Sequence, residues 1–226
     1  LTDNGTPSVD TMIQWSREVV DFIKAYHDEH YAWLDSFASY PSGHLGMVSP
    51  DGSLELYDGV LRAIDHAGEV TLQDIPANDY LKYFGEGVEK WSYMKFPFLR
   101  HLGRQKGWNR VGPLARLNVC DHISTPMGNA ELQEMRQRLG RIVQSSFHNH
   151  YARLIEALYG MERMKELLQD PTILDTKVRA HAGVNDLEGV GIILADRPAA
   201  DLVPGPSYAL RVAGYQRVPV GEIATL

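Results

Sequence analysis

One long amphipathic stretch limits the folds that this 226-residue chain can adopt. Pro126 and Asn129 open the stretch, and apolar side chains then recur three or four residues apart as far as Gln169, the spacing of one helix face. They are Leu132, Met135, Leu139, Ile142, Val143, Phe147, Tyr151, Leu154, Leu158, Met161, Met164 and Leu168. A continuous helix of this length would be a rod of about 60 Å. The stretch therefore predicts a protein built on long packed helices.

Two glycines offer an alternative to one continuous helix. Gly140 and Gly160 lie inside the stretch, and a kink at either would give two shorter helices. Asp170-Pro171 ends the helical pattern, because proline cannot continue the backbone hydrogen bonding. A further helix is predicted from Thr172 to Arg179.

The first part of the chain combines one long helix with short β signals. Apolar residues at helical spacing predict a helix from Asp10 to Ser36. Apolar runs separated by Pro-Asp-Gly and Asp-Gly turns then predict a small antiparallel meander with strands at Leu45–Val48, Leu54–Tyr57 and Val60–Ile64. Asp79 is expected to cap a short helix, Tyr80–Val88, and the aromatic and basic residues 89–110 to be irregular.

The predicted fold class is mainly α, with long packed helices and a small antiparallel β meander. Residues 193–226 hold four of the twelve prolines and have no clear periodicity. We therefore expect a helical body over residues 1–192 and a divergent tail over residues 193–226, loosely ordered or altered by a shifted reading frame.

Charge and cysteine content narrow the classes of function. The formal net charge is −7, which argues against broad contact with nucleic acid or anionic lipid. No window approaches the roughly 20 apolar residues of a membrane span. One cysteine excludes an internal disulfide and a cage of several thiolates from this chain. The chain shows no signal peptide and does not begin with Met, so we expect a cytoplasmic protein whose start is missing.

Cys120 is followed directly by Asp121 and His122, which invites interpretation as a nucleophile or a metal site. A catalytic thiol needs a base opposite it in space, and neighbours in sequence usually point apart. The residue follows the run Leu117-Asn118-Val119, so a buried, inert thiol is the preferred interpretation.

Histidines elsewhere give weaker signals. His148 and His150 lie two residues apart in the predicted long helix, about 200° around its axis, so they cannot share one metal ion. With Tyr151, Arg153 and Glu156 they predict either a buried polar network or the wall of a site, and the network is favoured. His27 and His30 are expected on a solvated helix face.

Five phrases together resemble the large, catalytic subunit of nickel-iron hydrogenases, in the soluble cytoplasmic branch that couples hydrogen to NAD(P) or a deazaflavin. They are YPSGHLGMVSPDGSLELYDGVLRAID, VEKWSYMKFPFLR, RVGPLARLNVCDHISTPMGNAEL, SSFHNHYARLIEALYGMERMKELLQDP and VRAHAGVNDLEGVGI. Each is weak alone, but all five occur in the family's order between about residues 40 and 192.

The resemblance implies a mainly helical subunit with a nickel-iron centre that splits hydrogen into a proton and a hydride. It also implies partners: an iron–sulfur small subunit that carries the electrons away, and diaphorase-type subunits. In the family, four cysteines in two CxxC-type motifs near the subunit's ends hold the metals, since soft thiolates suit nickel. Neither motif is present here, so the metal ligands are absent and the chain resembles the interior of a subunit.

The resemblance weakens after Ile192. The family continues with a Glu-Ala-Pro-Arg-Gly phrase, whereas this chain continues with LADRPAAD, in which Ala195 and Arg197 alone match. The resemblance makes Arg197 the one candidate catalytic residue, as a guanidinium that points at the open metal site.

Three hypotheses follow. The first is a partial catalytic large subunit, inactive by itself. The second is a non-catalytic helical scaffold that binds a partner and has lost the metal site. The third is an unrelated helical enzyme that uses His148 or His150.

Overall fold

A four-stranded sheet and four helices share the larger hydrophobic core of the computed structural model, which describes residues 7–76 and 79–177. Helix α1, Val9–Ser36, begins where the Ser8 side chain accepts a hydrogen bond from the Thr11 backbone N–H. Its inner face buries Ile13, Val20 and Leu34 and packs against the last long helix. The predicted helix from Asp10 to Ser36 is therefore confirmed.

The main sheet holds strands β1 (Gly43–Val48), β2 (Val60–Ile64) and β3 (Val70–Ile75). β1 pairs antiparallel with β2, and β2 with β3. A short strand from later in the chain, which we number β6 (Asn109–Arg110), pairs parallel with β1. The meander thus exists, but its sheet is mixed rather than purely antiparallel.

One predicted strand, Leu54–Tyr57, is wrong. Only Leu54 forms a bridge, to Val48, and the next residues turn away from the sheet. The Glu55 carboxylate causes the turn, because its Oε1 accepts hydrogen bonds from the backbone N–H groups of Leu56 and Tyr57, both at 2.8 Å. The third strand of the meander is β3 instead.

A hairpin occupies the segment predicted as a helix and an irregular stretch. Helix α2 spans only Tyr80–Tyr83, and strands β4 (Phe84–Glu89) and β5 (Ser92–Leu99) follow it as an antiparallel pair. Glycines at positions 85 and 87 disfavour continuation of the helix, and Gly85 lies close against the ring of Phe98. A 3₁₀ turn, Arg100–Leu102, and helix α3, Gly103–Lys106, lead back to β6.

The long amphipathic stretch forms two helices. A buried helix, α4 (Pro113–Val119), precedes them, and α5 runs over Pro126–Leu139. The chain breaks at Gly140, which has a φ of 92°, and α6 then runs over Asn149–Gln169. The alternative of a break at Gly140 is the one that the protein adopts, whereas Gly160 continues within α6.

The fold class is mixed α/β, so the prediction of a mainly α protein is wrong. Two sheets with six strands stand beside the helices in the described part of the chain. The error came from β3 and the β4–β5 hairpin, which lack the clean alternation of a half-buried strand. No helix within residues 7–76 and 79–177 is long and apolar enough to cross a membrane.

The predicted helix Thr172–Arg179 is instead a 3₁₀ turn, Pro171–Leu174, as far as the structure describes it. Residues 178–226 lie outside the described residues. They include the last of the five quoted phrases, the predicted tail and Arg197.

Candidate functional site

Helix α4 forms the centre of the most polar part of the core. All seven of its residues are buried, because the sheet covers one side and α6 the other. Arg116 points from α4 towards α6, where its Nε and Nη2 donate to the two carboxylate oxygens of Glu156, each at 2.6 Å. Both side chains are less than a tenth exposed. A bidentate ion pair of this kind fixes the orientation of the two helices.

Asn118 connects α4 to the sheet and to the loop before α6. Its Nδ2 donates to the Val143 carbonyl oxygen at 2.9 Å, and its Oδ1 accepts from the Val143 N–H at 3.2 Å. The same amide lies 3.2 Å from the Nε2 of His44, which is fully buried. Burial lowers the pKa of His44 to about 3, so the ring is neutral near pH 7.

Two arginines satisfy the carbonyl groups at the end of α4. Arg136, from α5, donates to the carbonyl oxygens of Leu117 at 3.0 Å and Cys120 at 2.7 Å. Arg141 donates to the carbonyl oxygens of Asn118 and Cys120. Positive charge at a helix C-terminus complements the partial negative charge there. These contacts hold the VGPLARLNVCDH stretch rigidly in place.

Cys120 is a buried thiol. It has no exposed surface, and its Sγ lies 3.7 Å from the Leu117 carbonyl oxygen. Burial raises the pKa of the thiol to about 11, although the charges of Arg136 and Arg141 oppose that rise. The thiolate form is therefore scarce near neutral pH, and the interpretation of Cys120 as inert agrees with this environment.

Asp121 and His122 contact groups other than Cys120. The Asp121 carboxylate accepts a hydrogen bond from Nη1 of Arg62 at 3.0 Å, and Arg62 also binds Asp74 on β3. His122 is partly exposed, with its Nε2 3.7 Å from the Asp51 carboxylate. The three adjacent residues thus have separate structural contacts, and the structure does not assemble them into a catalytic site.

The histidines of α1 and α6 are arranged differently from the prediction for one of them. His27 is buried rather than solvated, and its ring centroid lies 4.9 Å from that of His148. Burial lowers the pKa of both rings, that of His148 to about 4. His150 is exposed, so His148 and His150 do not face one another, as their spacing predicted.

Glu162 is a second buried acid that the sequence analysis missed. From α6 it reaches the first turn of α5, where its carboxylate accepts from Thr125 Oγ1 at 2.6 Å, Gly128 N at 2.8 Å and Met127 N at 3.0 Å. A carboxylate at a helix N-terminus satisfies unpaired N–H groups and complements the helix dipole. The only sequence signal was a Glu in an otherwise apolar stripe.

No group of three or more His, Cys, Asp or Glu residues within the described ranges could hold a metal ion. The buried polar residues therefore join helices and sheet rather than surround a site. The one described surface depression is lined by Glu29, His30, Ala32 and Trp33 on α1.

The chain is similar to subunits of hydrogenases. No protein-family profile matches it, but individual relatives do. It is 35% identical over 202 residues to the NAD-reducing hydrogenase HoxS subunit beta of Cupriavidus necator, covering 89% of this chain and 41% of the relative. It is 38% identical over 189 residues to a vhu subunit of the F420-non-reducing hydrogenase of Methanococcus voltae, covering 84% of this chain and 44% of the relative.

A solved structure agrees with these relatives. A chain in the crystal structure of NAD⁺-reducing [NiFe]-hydrogenase in the H₂-reduced state matches with a TM-score of 0.78 and 33% identity. The match covers 87% of this chain and 46% of that one. The chain thus spans less than half the length of the proteins it resembles.

These relatives correct the predicted assignment to a large, catalytic subunit. One is called subunit beta, the one from Archaeoglobus profundus is called an iron-sulfur subunit, and none of those compared here is called a large subunit. Relatives called hydrogenase subunits do not support the alternative of a non-catalytic scaffold that has lost its metal site either. What stands is similarity to hydrogenase subunits of these kinds.

The residues of this chain do not fit a nickel-iron centre or an iron–sulfur cluster held by this chain alone. Both kinds of centre use several cysteine thiolates, as the resemblance implies for the first and as is general for the second. The chain has one cysteine, and it is buried and protonated. No step of hydrogen chemistry is therefore derived from the described residues.

Proposed function

We propose that this chain functions as part of a nickel-iron hydrogenase, an oxidoreductase assembly that exchanges electrons between hydrogen and an acceptor. The observation that carries the proposal is the 33% identity and TM-score of 0.78 to a chain of an NAD⁺-reducing [NiFe]-hydrogenase. Identity at this level over 87% of the chain supports more than a shared architecture.

The proposed acceptor is a pyridine nucleotide, reached through other subunits. One relative is an NAD-reducing hydrogenase, and several others are F420-non-reducing hydrogenases, which makes the deazaflavin the weaker candidate. The proposed partners are further hydrogenase subunits, with iron–sulfur and diaphorase-type subunits as the specific candidates. The proposal also includes a cytoplasmic location.

Metal ligands would come from polypeptide outside these 226 residues. The single buried Cys120 cannot supply the thiolates, and the described acids and histidines serve as structural contacts. What this chain contributes is a rigid body of helices and sheet, fixed by the Arg116–Glu156 pair and by the contacts of Asn118.

The test is purification of the assembly from the organism that carries the gene. An affinity tag on the protein containing this sequence should recover further hydrogenase subunits, identified by mass spectrometry. The purified assembly should reduce benzyl viologen and NAD⁺ with hydrogen. Recovery of the tagged protein with neither companion subunits nor hydrogen-dependent reduction would contradict the proposal.

A matched pair of variants makes this test specific to the chain. Glu156→Gln weakens the buried ion pair, so we expect less assembled complex and less hydrogen-dependent reduction. Tyr93→Ser alters a side chain that is 95% exposed and should leave both unchanged. Equal activity in the two variants would show that this fold has no part in the assembly.

A further inference from the structure

Helix α1 is apolar on two opposite faces. Its inner face is buried against α6 through Val20 and Leu34. Its outer face carries Trp15, Phe22 and Trp33, which are 52%, 67% and 56% exposed. A helix that is apolar on both sides is normally covered on both sides. The outer face is therefore a candidate contact surface.

The outer residues have the spacing of a helix–helix seam. They lie four and three residues apart in alternation, in the order Trp15, Val19, Phe22, Tyr26, Glu29, Trp33. This alternation is the repeat with which two helices pack along one another, each side chain fitting between those of the partner. An extended peptide or a flat surface would not require it. The seam thus indicates an α-helix as the occupant.

Charge indicates which kind of helix it is. Helix α1 contains six acidic and two basic residues, a net charge of −4. Of the two bases, Lys24 is buried and binds Glu131 and Glu134 on α5. Glu29 interrupts the apolar seam beside a surface depression that it lines with Ala32 and Trp33. A lysine or arginine of the occupant would fit there.

The same charges oppose pairing of two copies of this chain. Parallel pairing through the seam would place Glu29 next to Glu29 of the second copy, and either orientation would bring two helices of charge −4 together. A basic helix has no such repulsion.

The source of the helix follows from the comparisons and rests on the proposed function. The chain covers 41% of HoxS subunit beta and 46% of the matched chain in the solved hydrogenase. More than half of those polypeptides is therefore available to cover the outer face of α1. We infer that this face binds a basic amphipathic helix of hydrogenase polypeptide that lies outside the region matched by this chain.

The test measures binding to defined peptides. Overlapping synthetic peptides of about 30 residues, long enough to match α1, would tile HoxS subunit beta of Cupriavidus necator outside the 202 matched residues. Fluorescence anisotropy with the full 226-residue chain would measure their affinities. We expect saturable binding by a peptide with a net positive charge and an apolar seam. Binding by no peptide, or only by acidic ones, would overturn the inference.

Variants of the exposed seam separate specific binding from misfolding. Phe22→Glu places a charge in the apolar contact and should weaken binding at least about tenfold. Glu29→Lys should weaken binding by several fold because it faces a basic residue. Trp91→Glu on the β4–β5 hairpin, which is 72% exposed, is the matched control and should bind as the wild type does. Circular dichroism would verify the fold of each.

Sedimentation equilibrium covers the remaining occupant. The wild-type chain should not form dimers through this face. A dimer that Phe22→Glu dissociates would identify a second copy as the occupant and would overturn the inference. Hydrogen-dependent reduction by the purified assembly does not depend on peptide binding, so failure of this inference can be told apart from failure of the proposed function.

Discussion

Arg116 and Glu156 form a buried, bidentate ion pair that joins α4 to α6, with both hydrogen bonds at 2.6 Å. Removing one partner leaves an uncompensated buried charge. We expect Arg116→Met to cost about 3–5 kcal/mol of unfolding free energy. The double variant Arg116→Met, Glu156→Leu should cost less than Arg116→Met alone, since no charge is left unpaired. Urea unfolding of the single and double variants measures this, and a double variant that is the less stable would contradict it.

The two glycines of the long stretch should respond oppositely to alanine. Gly140 has a φ of 92°, where a Cβ is strained, so Gly140→Ala should cost about 1 kcal/mol. Gly160 lies inside α6, and a Cβ added there would meet no atom within 4 Å, so Gly160→Ala should stabilise by up to about 1 kcal/mol. Thermal unfolding of both variants gives the comparison. Shifts of the same sign would mean that the break is not at Gly140.

Local patterns in the sequence predicted α1 well, because its apolar repeat and the Ser8 cap act within a few residues of one another. The β4–β5 hairpin was missed because its pairing, such as Phe84 with Leu99, depends on contacts between strands. The turn after Leu54 was missed because an alternating pattern does not reveal that the Glu55 carboxylate binds backbone N–H groups.

The polar contacts of the core depend still more on the fold. Arg116 and Glu156 are 40 residues apart, so no spacing rule brings them together. Glu162 caps α5 from α6, and its role depends on how these two helices pack. By contrast, burial of Cys120 followed from the apolar run before it, which is local.

Two buried histidines should make the protein less stable in mild acid. Burial lowers the pKa of His148 from 6.5 to about 4, with Asp28, Asp35 and Arg138 as the charged neighbours of the His27–His148 pair. A lowered pKa contributes stability that is complete above pH 6.5 and is lost as the pH falls towards 4, because the unfolded chain then binds more protons. Between pH 7.5 and 5.5, His148 should account for a loss of about 1 kcal/mol.

Urea unfolding at these two pH values measures the loss. His148→Gln should reduce the difference between pH 7.5 and pH 5.5, whereas His44 remains and keeps part of it. His150→Gln, at an exposed site two residues away, is the control. A pH dependence that His148→Gln leaves unchanged would rule out this buried ring as its source.

Cys120 should react slowly in the folded protein. Its thiol is buried and its pKa is raised to about 11, so reagent access and thiolate concentration are both low near neutral pH. With 5,5′-dithiobis(2-nitrobenzoate) at pH 7.5, we expect little colour from the native chain and one thiol per chain after unfolding in guanidinium chloride. Cys120→Ala should abolish the signal and, because it removes one small buried atom, should cost about 1 kcal/mol or less of stability. Rapid labelling of the native chain would mean that the α4 end opens readily, although Arg136 and Arg141 bind its carbonyl groups.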